Sequence, residues 1–275
     1  MTYVIAEVGI NHNGDMGLAK HLIEKANEAG CNAVKFQKRT VEEVYSKEEL
    51  DKDRESPWGV TNREQKEGLE FSIEQHKELE SFTRNLGMDY IISCWDLTSL
   101  KEVEEHLNVD YHKIASAMAC DEGFIGALND TGKKVILSVG MCAEKDILEA
   151  CSRIDNLEYI LCCTSTYPTK EEEVNLLHIT TLKERYPSFG IGFSNHYNGK
   201  DACIGAVTLG AECVEFHITK DRAMYGSDQA ASIQDANVLV SGIRNMEIMM
   251  GDGNKVFYDT EKPIADKLRK VHSWS

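Results

Sequence analysis

Two lysines, two histidines and several hydroxyls stand near the ends of short β-rich runs, where side chains are placed to do chemistry. Lys35 lies in Val34-Lys35-Phe36-Gln37 and Lys113 in Lys113-Ile114-Ala115-Ser116. Two inward ammonium groups can grip a phosphate and a carboxylate, or one can be a Schiff-base nucleophile whose pKa is lowered by burial and by the other's charge. Either lysine alone is as readily one half of a salt bridge. His196 and His217 are too far apart in sequence to share a helical turn, so they meet only if they end adjacent strands. Neutral imidazoles suit Mn, Fe, Co or Zn, and two of them leave positions open for water and a substrate oxygen. A structural, hydrogen-bonded histidine is the plainer alternative. Ser138, Ser165 and Ser194 are donors suited to phosphate oxygens, although a single serine is more often a cap or turn residue.

The surroundings of these groups narrow the ligand. The 275-residue chain carries 30 Lys and Arg against 46 Asp and Glu, a formal net charge of −16. Such a surface repels phosphate backbones and anionic lipids, which argues against nucleic-acid and membrane partners. An anionic ligand must therefore be met locally, by a few cations gathered in a pocket. The nine cysteines form no Cys-x-x-Cys pair and sit largely in apolar runs, so they read as reduced core residues. The N-terminus has no basic start and no long apolar stretch, and a cytoplasmic protein is expected.

The elements that must position these residues alternate along the chain. Strands are expected at Tyr3–Val8, Ala33–Gln37, Tyr90–Ser93, Tyr111–Ala115, Val135–Val139, Tyr159–Cys163, Gly190–Ser194 and Cys213–Ile218. Amphipathic helical stretches follow each, from Leu18–Ala29 to Ala236–Met250. Repeated βα units of this number predict an α/β fold, a (β/α)8 TIM barrel, with an open doubly wound sheet as the alternative. The barrel domain is assigned to residues 1–250 and a tail lying against it to 251–275. In a barrel the chemistry sits where strands end, and Glu7, Lys35, Gln37, Lys113, Ser138, Ser194, His196 and His217 fall there. Alternation puts Lys35 with Gln37, Ser194 with His196, and Glu215 with His217 on inward faces. Residues 38–70 make a long charged excursion, expected to be a lid, a binding loop, an interface element or a solvated loop.

The wording of the motifs adds to their spacing. Ala6-Glu7-Val8-Gly9-Ile10-Asn11-His12-Asn13-Gly14, Val34-Lys35-Phe36-Gln37, Lys113-Ile114-Ala115-Ser116 and Leu137-Ser138-Val139-Gly140-Met141 resemble the sialic acid synthase family. So do Cys163-Thr164-Ser165-Thr166-Tyr167-Pro168, Gly192-Phe193-Ser194-Asn195-His196, Glu215-Phe216-His217-Ile218-Thr219 and Gly226-Ser227-Asp228-Gln229. The resemblance runs in order from residue 3 to about residue 250. It implies a metal-dependent condensation of phosphoenolpyruvate with an open-chain aldose, giving a 2-keto-3-deoxy sugar acid and phosphate. By motif matching, Lys35, Lys113, Ser116, Ser138, Ser165 and Ser194 bind phosphoenolpyruvate, and His196 with His217 binds the metal, typically manganese. Gln37, Tyr167 and Asp228 contact the sugar, and Glu7 is the carboxylate near the reacting carbons. The resemblance also implies a homodimer.

Departures from the family bear on the sugar. Met118 stands where members that use N-acetylmannosamine usually carry a carboxylate. Ser93-Cys94 replaces the common Ser-Thr after the third strand, which puts Cys94 at a phosphoenolpyruvate contact. Ser165 stands where asparagine is frequent, and Phe216 where a lysine or arginine is usual. The antifreeze-like domain that follows the family's barrel has no counterpart up to Ser275. These departures count against N-acetylmannosamine and leave another aldose, a modified hexosamine or a phosphorylated sugar. Two other functions compete: a class I aldolase or lyase working through Lys113 or Lys35, and a non-catalytic sugar-phosphate-binding barrel.

Overall fold

A computed structural model describes residues 1–224, 232–233 and 236–271. Eight parallel strands pair in chain order: β1 Tyr3–Glu7, β2 Ala33–Lys38, β3 Asp89–Cys94, β4 Tyr111–Ile114, β5 Lys134–Ser138, β6 Leu157–Cys162, β7 Gly190–Asn195 and β8 Cys213–Ile218. β8 then pairs with β1, from Tyr3↔Cys213 to Glu7↔His217, so the sheet closes and the open-sheet alternative is excluded. A two-residue strand, β9 at Ser232–Ile233, adds to β8.

The helices are α1 Met16–Ala29, α2 Ile73–Asn85, α3 Leu97–His106, α4 Glu122–Asp130, α5 Glu144–Arg153, α6 His178–Arg185, α7 Asp201–Thr208 and α8 Ala236–Met250. Each presents an apolar stripe to the sheet. In α1, Leu18, Ala19, Leu22, Ile23 and Ala26 are buried, Asp15 caps the start by accepting from Leu18 N–H, and Gly30 ends it in the left-handed region. A capping box between Ser72 and Gln75 starts α2.

Two cores result from the alternation of strand side chains. Outward residues such as Val34, Phe36, Val214 and Phe216 pack against the helices in the large outer core. Inward residues form layers. Tyr3, Tyr111 and Tyr159 close the bottom, and Ile5, Ala33, Ile91, Ile136, Leu161 and Cys213 fill the next layer. Above them the inward residues turn polar. Truncating one of these buried aliphatics costs about 2–5 kcal/mol, so the apolar floor is a firm, dry support for the polar layer.

The 38–70 excursion is built, not loose. It holds one-turn helices at Val41–Val44 and Lys47–Leu50, an antiparallel hairpin of Asp53–Ser56 and Gly59–Thr61, and a helix at Asn62–Leu69 opened by a capping box. Of residues 251–271 only Glu261 and Ala265 are partly covered, so this stretch does not pack into the barrel's core. Among the described residues, no helix is long and apolar enough to cross a membrane.

Candidate active site

At the C-terminal mouth of the barrel, four buried charges lie side by side. Lys35 Nζ is 2.7 Å from Glu7 Oε2 and 3.8 Å from Glu215 Oε2, with all three side chains at most 5% exposed. Burial works against the Lys35 ammonium, but the charges of Glu215 and Glu7 outweigh it and hold its pKa above the ordinary lysine value. Burial likewise opposes the Glu215 carboxylate, and Lys35, Lys113, His217 and the hydrogen bond from Ser194 Oγ at 2.9 Å hold it charged. Glu7 Oε1 accepts from Gln37 Nε2 at 2.6 Å.

Lys113, the second cation, is held differently. Its Nζ donates to Ser138 Oγ at 2.6 Å and to the Ile114 carbonyl at 3.1 Å, with no carboxylate in ion-pair contact among the described residues. Burial pushes its pKa down, and the charge of Lys35 adds to the effect against the pull of Glu215. Beside it a small cluster of soft and hydroxyl groups converges: Cys163 Sγ lies 3.8 Å from Ser116 Oγ and 3.7 Å from Ser165 Oγ. Gly140 permits this, because a Cβ there would stand 2.2 Å from Ser165 Oγ and 2.9 Å from Ser116 Oγ.

The two histidines do end adjacent strands. Their ring centroids are 5.3 Å apart, and Tyr167 lies 4.3 Å from the ring of His196. His196 Nδ1 is 2.8 Å from the Thr164 carbonyl, which can only accept, so Nδ1 carries the proton and Nε2 keeps its lone pair. Tyr167 Oη, 3.1 Å from that Nε2, donates to it. An imidazole anchored through Nδ1–H to a carbonyl and offering Nε2 is the usual arrangement of a metal-binding histidine. The pair therefore fits a divalent ion with open positions, although no group of three or more His, Cys, Asp or Glu able to hold a metal occurs among the described residues.

Apart from Cys163, these side chains line one cavity of about 70 Å³. Of the sequence-derived site residues, it gathers Glu7, Lys35, Gln37, Lys113, Ser116, Ser138, Ser165, Tyr167, Ser194, His196 and His217. Cys94 is not among them: it points outward into the helix-side core, and the inward neighbour Ser93 lines the cavity instead. The motif resemblance points to Cys94 and the strand parity to Ser93, and the parity holds. Asp228 lies outside the described residues. Met118 also packs against the outer core, while Ala117 faces the cavity. Glu215 was legible as an inward residue but had been given no role; its strand spacing to His217 was the available signal. Trp95 also lines the cavity, and Cys163, outside its lining, touches Ser116, Ser165 and His196.

With the geometry in hand, comparison with known proteins decides the family. Residues 22–255 match the NeuB family. The chain belongs to the NeuB family. It is 33% identical to the N-acetylneuraminate-9-phosphate synthase of Mus musculus, over 98% of this chain and 76% of that protein. It is 32% identical to the N,N'-diacetyllegionaminic acid synthase of Campylobacter jejuni, over 98% of this chain and 83% of that one. The crystal structure of the N-acetylneuraminic acid (sialic acid) synthetase of Leptospira borgpetersenii, in complex with citrate, superposes with a TM-score of 0.83 at 29% identity. It is matched over 98% of this chain and 93% of that one. This member of the NeuB family is thus a homologue of sialic-acid-type synthases along nearly its whole length.

Proposed function

We propose that this chain condenses phosphoenolpyruvate with the open-chain form of an aldose, producing a 2-keto-3-deoxy sugar acid and inorganic phosphate. The observation that carries the reading is the meeting of Lys35 and Lys113 with Ser116, Ser138, Ser165 and Ser194 in one cavity that also holds the paired imidazoles. A trianionic enol phosphate needs this kind of cradle in a protein whose net charge is −16. In this reading the two lysines and the serine hydroxyls hold the phosphate and carboxylate, and Gln37 and Tyr167, with Asp228, hold the aldose. C3 of phosphoenolpyruvate adds to the aldehyde carbon, water takes the cationic C2, and phosphate leaves by C–O cleavage. Glu7, buried beside Lys35, stabilises the developing positive charge or steers the water. A divalent metal, Mn2+ in the first instance, bound by His196 and His217 would supply Lewis acidity toward the aldehyde oxygen. The relatives' activities, synthesis of a 9-phosphate sugar acid in one and of a diacetyl sugar acid in another, support the substrate class and leave the sugar open.

The test is phosphate release from phosphoenolpyruvate across a panel of aldoses with Mn2+, including N-acylated and phosphorylated hexosamines. Release that depends on one aldose is expected. Lys113→Ala should weaken phosphoenolpyruvate far more than the aldose in equilibrium titration, by about 2–5 kcal/mol; equal losses would count against the assignment. One observation favours a second reading: the depressed pKa of Lys113 suits a Schiff-base nucleophile. Borohydride with pyruvate would trap Lys113 only if that reading holds. A homodimer in cytoplasmic conditions is part of the proposal, and sedimentation at micromolar concentration tests it.

A further inference from the structure

Gln37 is held at both ends of its amide. Its Nε2 donates to Glu7 Oε1 at 2.6 Å, and its Oε1 accepts from Arg39 Nη2. A guanidinium has only donors and a carboxylate only acceptors. The two neighbours therefore dictate which way the amide faces, with its carbonyl toward Arg39 and its NH2 toward Glu7.

Arg39 is fixed from several sides in its turn. Nη1 donates to Glu70 Oε1 at 2.8 Å, the Arg39 backbone N–H donates to Glu70 Oε2 at 3.1 Å, and the guanidinium lies 4.7 Å over the ring of Trp95. The side chains of Arg39 and Glu70 are 10% and 14% exposed, so the pair is far less screened than a surface ion pair. Arg39 Nε is buried without an acceptor, which leaves the two terminal nitrogens as the working contacts. Glu70 closes the excursion that Arg39 nearly opens.

We propose that Arg39 is a positioning residue for Glu7, acting through the amide of Gln37. Glu70 and Trp95 hold Arg39, Arg39 orients Gln37, and Gln37 supplies the N–H that sets the Glu7 carboxylate beside Lys35. Its consequence for turnover rests on the reading above, in which Glu7 faces the reacting carbons. Without Arg39 the carbonyl end of the amide is no longer held, so the Gln37 side chain can swing and its N–H contact to Glu7 Oε1 loosens. The 38–70 excursion thus has a task in the site without supplying a lid: it carries the residues that keep this chain of contacts taut.

The experiment compares wild type, Arg39→Ala, Gln37→Ala and the double variant by two readouts. The first is the pair of side-chain amide NMR signals of Gln37, assigned by their loss in Gln37→Ala. The second is steady-state phosphate release. Arg39→Ala should shift or broaden the Gln37 amide pair. It should lower kcat about 10-fold or more, as misplacing a reacting group does, while the KM for phosphoenolpyruvate stays within about 3-fold. In the Gln37→Ala background, removing Arg39 should change kcat less than about 2-fold, because the route through the amide is already cut. Arg39→Lys should recover part of the loss. Effects that multiply in the double variant, or a rise in the aldose KM with kcat unchanged, would overturn the proposal. If Arg39→Ala does not fold, Glu70→Gln and Arg39→Lys put the same question to the Gln37 signals. If wild type condenses no aldose, the functional reading falls, and the signals alone judge Arg39: an amide pair unmoved by its loss overturns the positioning role.

Discussion

Lys35 on β2 is shared between two buried carboxylates, 2.7 Å from Glu7 on β1 and 3.8 Å from Glu215 on β8. Among the described residues, Lys113 on β4 instead donates to a hydroxyl and a carbonyl. The two lysines therefore divide the labour of their site: Lys35 faces the ligand firmly charged between its carboxylates, and Lys113 is the cation with more spare charge to offer it. Lys35→Met should strip two buried carboxylates of their partner and destabilise the fold by about 3–5 kcal/mol. Lys113→Met should cost less, since burial already disfavours its charged form. Urea unfolding of the two variants checks this, and equal midpoints would refute the division.

Gly140→Ala puts a methyl where three side chains meet, within 3.0 Å of Ser165 Oγ, Ser116 Oγ and Cys163 Sγ. The serine hydroxyls must then move apart. The expected outcome is a rise of about 10-fold or more in the KM for phosphoenolpyruvate, since each charge-assisted hydrogen bond to a ligand contributes roughly 1.5–3 kcal/mol. Titration with phosphoenolpyruvate in the absence of aldose isolates the effect. Unaltered affinity would remove Ser116 and Ser165 from the phosphate cradle.

Much of this arrangement is legible in the sequence because strand alternation has a period of two, which assigns a face to every residue once one is known. Lys35 with Gln37, and Glu215 with His217, follow from that alone. Ser93 against Cys94 shows the same rule from the other side, since the parity was right where the motif analogy was not. What stays hidden are contacts set by register around the closed barrel, such as Lys35 with Glu215. Contacts made by an irregular excursion are hidden too. Arg39 and Glu70 lie 31 positions apart and share no period. Cys163 gave no sign of its place between Ser116 and His196, because an apolar run of cysteines reads as core.

Two buried histidines outside the cavity make stability depend on acid. Burial, then the charges of His76 and Arg39, lowers His12 from the ordinary 6.5 to about 3, and burial with the charge of Lys38 lowers His76 to about 3. In the unfolded chain both take protons as pH falls through 6.5, while the folded chain refuses them until about 3. The unfolded state therefore binds more protons in that window, so the contribution is complete above 6.5 and is lost steadily on acidification. Each unit of difference corresponds to about 1.4 kcal/mol per group. Denaturant midpoints measured from pH 7.5 down to pH 5 should fall, and more gently in His76→Gln. A flat profile would mean that neither imidazole is excluded from protonation.

The last expectation concerns His196 and His217. His196 is anchored by Nδ1–H on the Thr164 carbonyl and presents Nε2 toward Tyr167, the orientation of a ligand, with the His217 ring 5.3 Å away. Two imidazoles without a carboxylate bind a first-row ion only moderately, so chelation should succeed where a closed four-ligand site would resist it. EDTA should silence the wild type and added Mn2+ should restore it. His196→Ala and His217→Ala should each lower bound metal and turnover while unfolding near the wild-type midpoint, because both rings border an open cavity and lie outside the packed apolar layers. Full-rate condensation after exhaustive chelation, or unchanged metal content in both variants, would discard the two-histidine site. The low pKa of Lys113 would then become the leading clue to the chemistry, and pyruvate trapping on that lysine the next measurement.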